Sequence, residues 1–166
     1  MIPEIKKILY PTDLSENARY AFGYAVSLAN HYGARITVLH VVEELSSFAR
    51  SMVREVMGEN RWEDLIKKKE TEIITNLKSR LEQFCNDVGQ QQPDCPFVVD
   101  NTVVVTGHAV DQIVRYTAEL DVDLVIMGSR GKGGLADVTM GSTSRRVLRR
   151  CKKPVLIVCP PEGAKR

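Results

Sequence analysis

Residues 6–42 read KKILYPTDLSENARYAFGYAVSLANHYGARITVLHVV: an apolar run, a helical repeat and a second apolar run in direct succession. The first run, residues 6–13, ends on Pro11, Thr12 and Asp13, residue types that turn a chain. Ala18, Phe22, Ala25, Leu28, Ala29 and Tyr32 then recur at three- and four-residue spacing, one face of a helix. Ser15 stands where an N-cap oxygen takes an orphan amide, and Gly33 where a left-handed residue stops the helix. The second run, residues 34–42, is almost continuously apolar, as a strand covered on both faces should be.

The alternation continues outward. Further β-branched runs lie at residues 96–105, 122–129 and 154–160. AVDQIVRYTAELD carries Val110, Ile113, Val114 and Ala118 on one helical face, and STSRRVLRRC makes a last helix. Strands alternating with helices predict an α/β three-layer sandwich on a five-stranded parallel sheet. Right-handed crossovers narrow the winding to a flavodoxin-like, Rossmann-like strand order of 3-2-1-4-5. Residues 1–160 are expected to form one domain, with 161–166 a frayed tail.

One connection is oversized. Residues 43–95 occupy a position where a crossover needs only about a dozen residues. Trp62, Ile66, Ile73, Leu77, Leu81, Phe84 and Val88 form a long amphipathic stripe, expected to cover the sheet. Before it, Leu45, Phe48, Met52, Val53 and Val56 mark a shorter helix ending near Gly58. A lid over a ligand, a dimer contact and plain packing all fit that shorter segment.

Composition excludes several classes. The 166 residues are 43% hydrophobic and 27% charged with a net charge of +2, ordinary for a globular chain. No global field argues for nucleic acid, and no apolar run approaches the ~20 residues that span a bilayer. The N-terminus lacks a charged-then-apolar export pattern, so a cytoplasmic location is expected. Cys85, Cys95, Cys151 and Cys159 make no Cys-x-x-Cys pair, and His31, His40 and His108 are scattered. Free thiols in a reducing compartment are expected, with no metal site. Six basic residues lie in RRVLRRCKK, where a solvated helix face is the preferred reading.

Ligands of open α/β sheets settle beyond the carboxyl ends of the strands where the winding reverses. With the first strand central, that crevice receives YPTDLS from one side and MGSRGKGG from the other. Gly128 and Gly133 have P-loop separation, but Gly134-Leu135 follow where Lys and Ser or Thr belong, so the loop is not a P-loop. Glycines at Gly128 and Gly131 still let backbone amides approach an anion, and Gly141-Ser142-Thr143-Ser144 opens a helix whose amides favour one. Hydroxyls at Ser142 and Ser144 add donors, and Lys132 is an optional phosphate contact. The same glycines also serve as plain turns and Ser142 as a plain cap; composition does not separate the two readings.

Gly128, two residues, Gly131, nine residues, Gly141 and Ser142 together resemble the nucleotide-binding signature of the universal stress protein family. ILYPTDLSENARYAFGYAVSLANHYGARITVLHVVE and DLVIMGSRGKGGLADVTMGSTSRRVLRRCKKPVLIVCP are similar to that family's opening and end. The likeness weakens only across residues 43–95. Ala109 stands where the family often has Pro, at a helix start away from the crevice.

The resemblance implies the family's ATP-binding branch. By it, Asp13 contacts the ribose, with Pro11 and Thr12 beside it, and the backbone near Val41 meets the adenine edge. Gly128, Arg130, Gly131, Gly141, Ser142 and Thr143 surround the phosphates, Met127 lines the pocket, and Mg²⁺ or Mn²⁺ accompanies the nucleotide. It further implies a homodimer through the edge strand from Val155 to Cys159, and leaves room for an unidentified protein partner. No catalytic set is legible, so a nucleotide-dependent stress or signalling module with at most slow ATP hydrolysis is the leading expectation. A genuine ATP-hydrolysing enzyme and a nucleotide-independent interaction dimer are the alternatives.

Overall fold

In the computed structural model, residues 2–44, 46–91, 99–131 and 140–161 are described, without the side chains of 81 and 84–91. Of the residues singled out above, Leu45, Cys95, Pro96, Lys132, Gly133, Gly134, Leu135 and the tail beyond 161 lie outside them.

The chain forms two compact units. The first, Met1–Val42 with Pro96–Arg166, holds a five-stranded parallel sheet. Its strands are β1 (Lys7–Pro11), β2 (Arg35–Val42), β3 (Val99–Thr106), β4 (Leu124–Gly128) and β5 (Val155–Val158). Its helices are α1 (Glu16–Tyr32), α4 (Ala109–Glu119) and α5 (Ser142–Arg150). The second unit, Glu43–Cys95, contains α2 (Ser47–Met57) and α3 (Glu59–Gln91). Strand order is β3-β2-β1-β4-β5, the order expected from the alternation.

Local signals set the boundaries. Ser15 Oγ accepts the Ala18 amide at 3.2 Å and starts α1. Gly33, at φ 64°, ends it, and both its N–H and that of Ala34 return to the Ala29 carbonyl. In the second unit Ser46 caps α2 through the Ala49 amide, and Gly58, at φ 80°, closes it.

The two faces of the sheet carry different covers. Leu9, Leu39, Val125 and Met127 cluster with Val110 and Ile113 of α4 and Val147 of α5. Tyr10, which points to the opposite face, stacks on Phe22 of α1 with ring centroids 4.9 Å apart. Burying these aliphatic side chains stabilises the unit by roughly 1.5–3 kcal/mol each. β5 closes one edge of the sheet, and Val155, Leu156 and Ile157 are only half-buried there.

In the second unit Trp62 and Leu77 are buried, Ile73 is half-buried and Ile66 is exposed. The predicted α2 stripe is not a buried face: Phe48 is 73% and Val56 84% exposed, and Met52 is exposed too.

Candidate functional site

The sheet opens where the sequence placed the crevice. β1 and β4 pair only at Ile8↔Leu124 and Leu9↔Val125. Below those pairs Asp123 holds the strands together, its Oδ2 accepting the Lys6 and Lys7 amides at 2.8 and 2.9 Å. Above them each strand follows its outer neighbour, β1 to Pro11↔Leu39 and β4 to Gly128↔Val158. The chain then leaves β1 toward α1 on one face and β4 toward α5 on the other. Divergence of this kind makes a ligand crevice at a topological switch point.

One lip is the turn Thr12–Ser15. The Thr12 amide donates to the Leu39 carbonyl at 2.9 Å, and Thr12 Oγ1 accepts the Leu14 amide at 3.1 Å. Asp13 Oδ1 accepts from the Ser15 amide at 3.0 Å and the Ser15 hydroxyl at 2.6 Å. Between them Leu14 sits at φ 65°. A left-handed leucine costs about 1–2 kcal/mol and persists only where its surroundings over-determine it. Nothing in the sequence marks it.

The other lip runs from β4 into α5. The Gly141 amide donates to the Ser129 carbonyl at 2.7 Å, and Ser144 Oγ donates to the Gly128 carbonyl at 2.9 Å. Ser144, read from sequence as a free donor, is instead a buried brace that fastens α5 to the end of β4. Gly141 caps α5 in an extended conformation with no side-chain hydrogen bond. The first amides of α5, at Ser142 and Thr143, therefore depend on something other than a capping side chain. Ser129 is fully buried, and its hydroxyl has no hydrogen-bond partner among the described residues.

The two lips meet. A Cβ on Gly131 would collide with Asp13 Oδ2 and stand 3.4 Å from its Cγ. A Cβ on Gly128 would stand 3.2 Å from the Asn17 carbonyl at the start of α1. The space that both glycines leave is thus taken by protein, by a carboxylate and by a helix backbone, rather than by an open channel.

The remaining sequence-predicted residues fall around this junction. Pro11 ends β1 and is buried, and Arg130, half-buried, stands between Ser129 and Gly131. Met127 is 6% exposed within the core cluster, so its side chain faces α4 and α5 rather than the lips. Val41 follows Leu39 on β2, past the last β1 pair. Arg35 donates to Lys6 and Leu39 accepts from Thr12, so alternate residues of β2 turn their backbone groups toward β1. By that alternation the Val41 amide and carbonyl lie on the edge beside the Thr12–Asp13 turn.

A family model described as the universal stress protein family matches residues 4–159. The chain belongs to the universal stress protein family. Universal stress protein MJ0577 of Methanocaldococcus jannaschii is 32% identical over 160 residues, covering 92% of this chain and 94% of its own. Universal stress protein YxiE of Bacillus subtilis is 30% identical, covering 92% and 97%. Among solved structures, that of MJ0577 superposes with a TM-score of 0.64 at 28% identity, covering 97% of this chain and all of its own. A universal stress protein in complex with cAMP shares the fold, with a TM-score of 0.57 at 19% identity over 95% and 98% of the two chains.

Outside the crevice the family chain shows ordinary surface chemistry. Arg150 of the basic α5 face pairs with Asp111 at 2.6 Å, and Lys153 with Asp121 at 2.8 Å. Those partners hold the Asp111 and Asp121 carboxyls below their ordinary range, chiefly through the hydrogen bonds. Cys151 and Cys159 are free thiols. No helix among the described residues is long and apolar enough to cross a membrane.

Proposed function

We propose that this universal stress protein binds ATP in the crevice between β1 and β4 and acts as a nucleotide-dependent stress-response or signalling module in the cytoplasm. The observation that carries the reading is the meeting of the Gly131 backbone with the Asp13 carboxylate beside the start of α5, whose cap, Gly141, supplies no side chain to its first amides. Asp13 accepts the ribose hydroxyls, and the Val41 backbone pairs with the adenine edge. Gly128, Arg130, Gly131, Gly141, Ser142 and Thr143 surround the phosphates, and Pro11, Thr12 and the backbone of Met127, whose side chain is turned into the core, complete the walls. Amides at a helix N-terminus favour anionic oxygens on both hydrogen-bonding and dipole grounds. The solved relative in complex with cAMP supports an adenine nucleotide as the class of guest.

A divalent cation, Mg²⁺ or Mn²⁺, fits this donor set only as a companion of the nucleotide. The described residues hold no group of three or more His, Cys, Asp or Glu side chains suited to a metal. The phosphates, water and the Ser142 and Thr143 hydroxyls would hold it, since Mg²⁺ keeps several waters and leans on substrate phosphates rather than on an all-protein cage. Its chemistry there is charge neutralisation. Asp13, with Oδ1 engaged by Ser15, serves to hold the ribose rather than to move a proton, so hydrolysis in this reading is slow at most.

Calorimetric titration of the purified chain with ATP tests the proposal directly. Saturable binding that Asp13→Ala weakens at least tenfold is the expected result, and no heat at millimolar ATP would sink it. Phosphate release at rates of order 1 s⁻¹ or above would favour the enzyme reading instead. The half-buried β5 edge favours a homodimer through that strand, since an unpaired apolar edge invites pairing. A dimer in sedimentation that neither binds nor responds to ATP would establish the interaction-only reading.

A further inference from the structure

Within the nucleotide reading, on which this inference rests, we infer that His40 is a positioning residue, the side chain that orients the Thr12–Asp13 peptide and with it the Asp13 carboxylate. His40 lies on β2 and is 9% exposed. Preceding residues on its face, Ile36 and Val38, are fully buried aliphatics. Alternation along the strand therefore calls for a third apolar side chain, and a buried imidazole there needs a partner.

The partner is Thr12. His40 Nδ1 stands 2.7 Å from the Thr12 carbonyl oxygen, across 28 residues of chain. A carbonyl only accepts, so Nδ1 carries the proton and donates. The register Pro11↔Leu39 puts His40 beside Thr12 at the last rung before the strands part.

The other polar groups of Thr12 are held as well. Its amide is tied to Leu39, and its hydroxyl to the Leu14 amide and, at 3.3 Å, to the Tyr10 hydroxyl. The His40 bond holds the carbonyl of the peptide leading into Asp13 and so restrains its plane. Rotating that peptide would swing the Asp13 Cα and break its fit against Gly131. It would also release the left-handed Leu14, whose conformation the turn must hold against its own strain. A histidine serving only as core filling would fix none of this.

The test compares three variants in ATP titration and in thermal unfolding without ligand. His40→Asn keeps a donor nitrogen one bond beyond Cγ, where Nδ1 sits; His40→Gln carries it one atom too far; His40→Leu has none. Loss of one hydrogen bond's orientation corresponds to about tenfold in Kd. His40→Leu and His40→Gln are expected to bind ATP about tenfold more weakly, and His40→Asn within about threefold of the parent. That affinity order should hold whatever the order of unfolding midpoints.

A folded His40→Leu that binds like the parent overturns the inference and leaves the nucleotide reading standing. A parent that binds no ATP overturns both. If the variants fail to fold, ¹⁵N shifts of the parent's His40 ring decide: an Nδ1–H tautomer sustains the inference, and an Nε2–H tautomer with bare Nδ1 refutes it.

Discussion

Replacing Gly131 by alanine adds one methyl group, and the structure says where it goes. The new Cβ would overlap Asp13 Oδ2, so either the carboxylate rotates away or the loop lifts off it. Rotation carries Oδ1 with it, and Oδ1 holds the Ser15 amide at 3.0 Å and the Ser15 hydroxyl at 2.6 Å. Hydrogen bonds to a charged group are worth about 1.5–3 kcal/mol each. Displacing the carboxylate from a ribose by one such bond weakens ATP binding roughly 10- to 150-fold. Unfolding without ligand should shift little, by about 2–4 °C for a loss of ~1 kcal/mol in a chain this size. A double-mutant cycle isolates the cause. In an Asp13→Ala background the methyl group has no carboxylate to displace, so Gly131→Ala should then cost almost nothing further in calorimetry. Unchanged affinity in Gly131→Ala, or fully additive losses, would refute the reasoning and return Gly131 to the role of a plain turn.

Two further outcomes follow from buried hydrogen bonds. Ser144→Ala leaves the Gly128 carbonyl without its buried donor and should cost about 1–2 kcal/mol in denaturant unfolding, with weaker ATP binding as α5 loosens from β4; full stability would show that water replaces the hydroxyl. Tyr10, buried and donating to the Ala18 carbonyl at 2.5 Å, has its phenol pushed above the ordinary value, mainly by burial. The folded state therefore keeps its proton at pH values where the unfolded chain loses it. This contribution is whole below about pH 10 and is lost as pH rises beyond it. Tyr10→Phe should be less stable at neutral pH by about 1 kcal/mol and flatten the alkaline decline, measured by urea unfolding from pH 8 to 11. An unchanged alkaline slope would assign the decline to other groups.

The architecture was legible because it rests on local signals. Apolar runs of strand length, the Ala18–Tyr32 repeat, the Ser15 cap and the Gly33 stop each act within a few residues, and together they give the strand order. The site was legible only as two stretches that topology would bring together. What neither stretch could show is how they touch. His40 reads as one more residue of an apolar strand until Thr12 is found beside it, 28 positions away. Ser144 reads as a ligand donor because its partner, the Gly128 carbonyl, is a backbone atom with no sequence signature. Gly128 and Gly131 read as openings for a ligand because an absent side chain does not say what fills its place. Leu14 is the sharpest case, since leucine carries no propensity for the left-handed region it occupies.

These unread contacts share a location, and the location has a consequence for binding. Asp123 pins β1 to β4 at the foot of the crevice, two rungs hold the middle, and the strands part above. The lips are then joined by contacts of small individual worth, about 1 kcal/mol apiece, rather than by continuous sheet pairing. A guest that touches Asp13 on one lip and the α5 amides on the other closes the gap the strands leave open. Its binding free energy therefore adds directly to the stability of the β1–β4 junction, by about 2.7 kcal/mol at a hundred times Kd. A ligand confined to one lip would have no such leverage over the opposite lip. In the nucleotide reading, occupancy and the order of both lips are therefore coupled, and β5, paired along β4 up to Gly128↔Val158, is the strand next to the β4 lip.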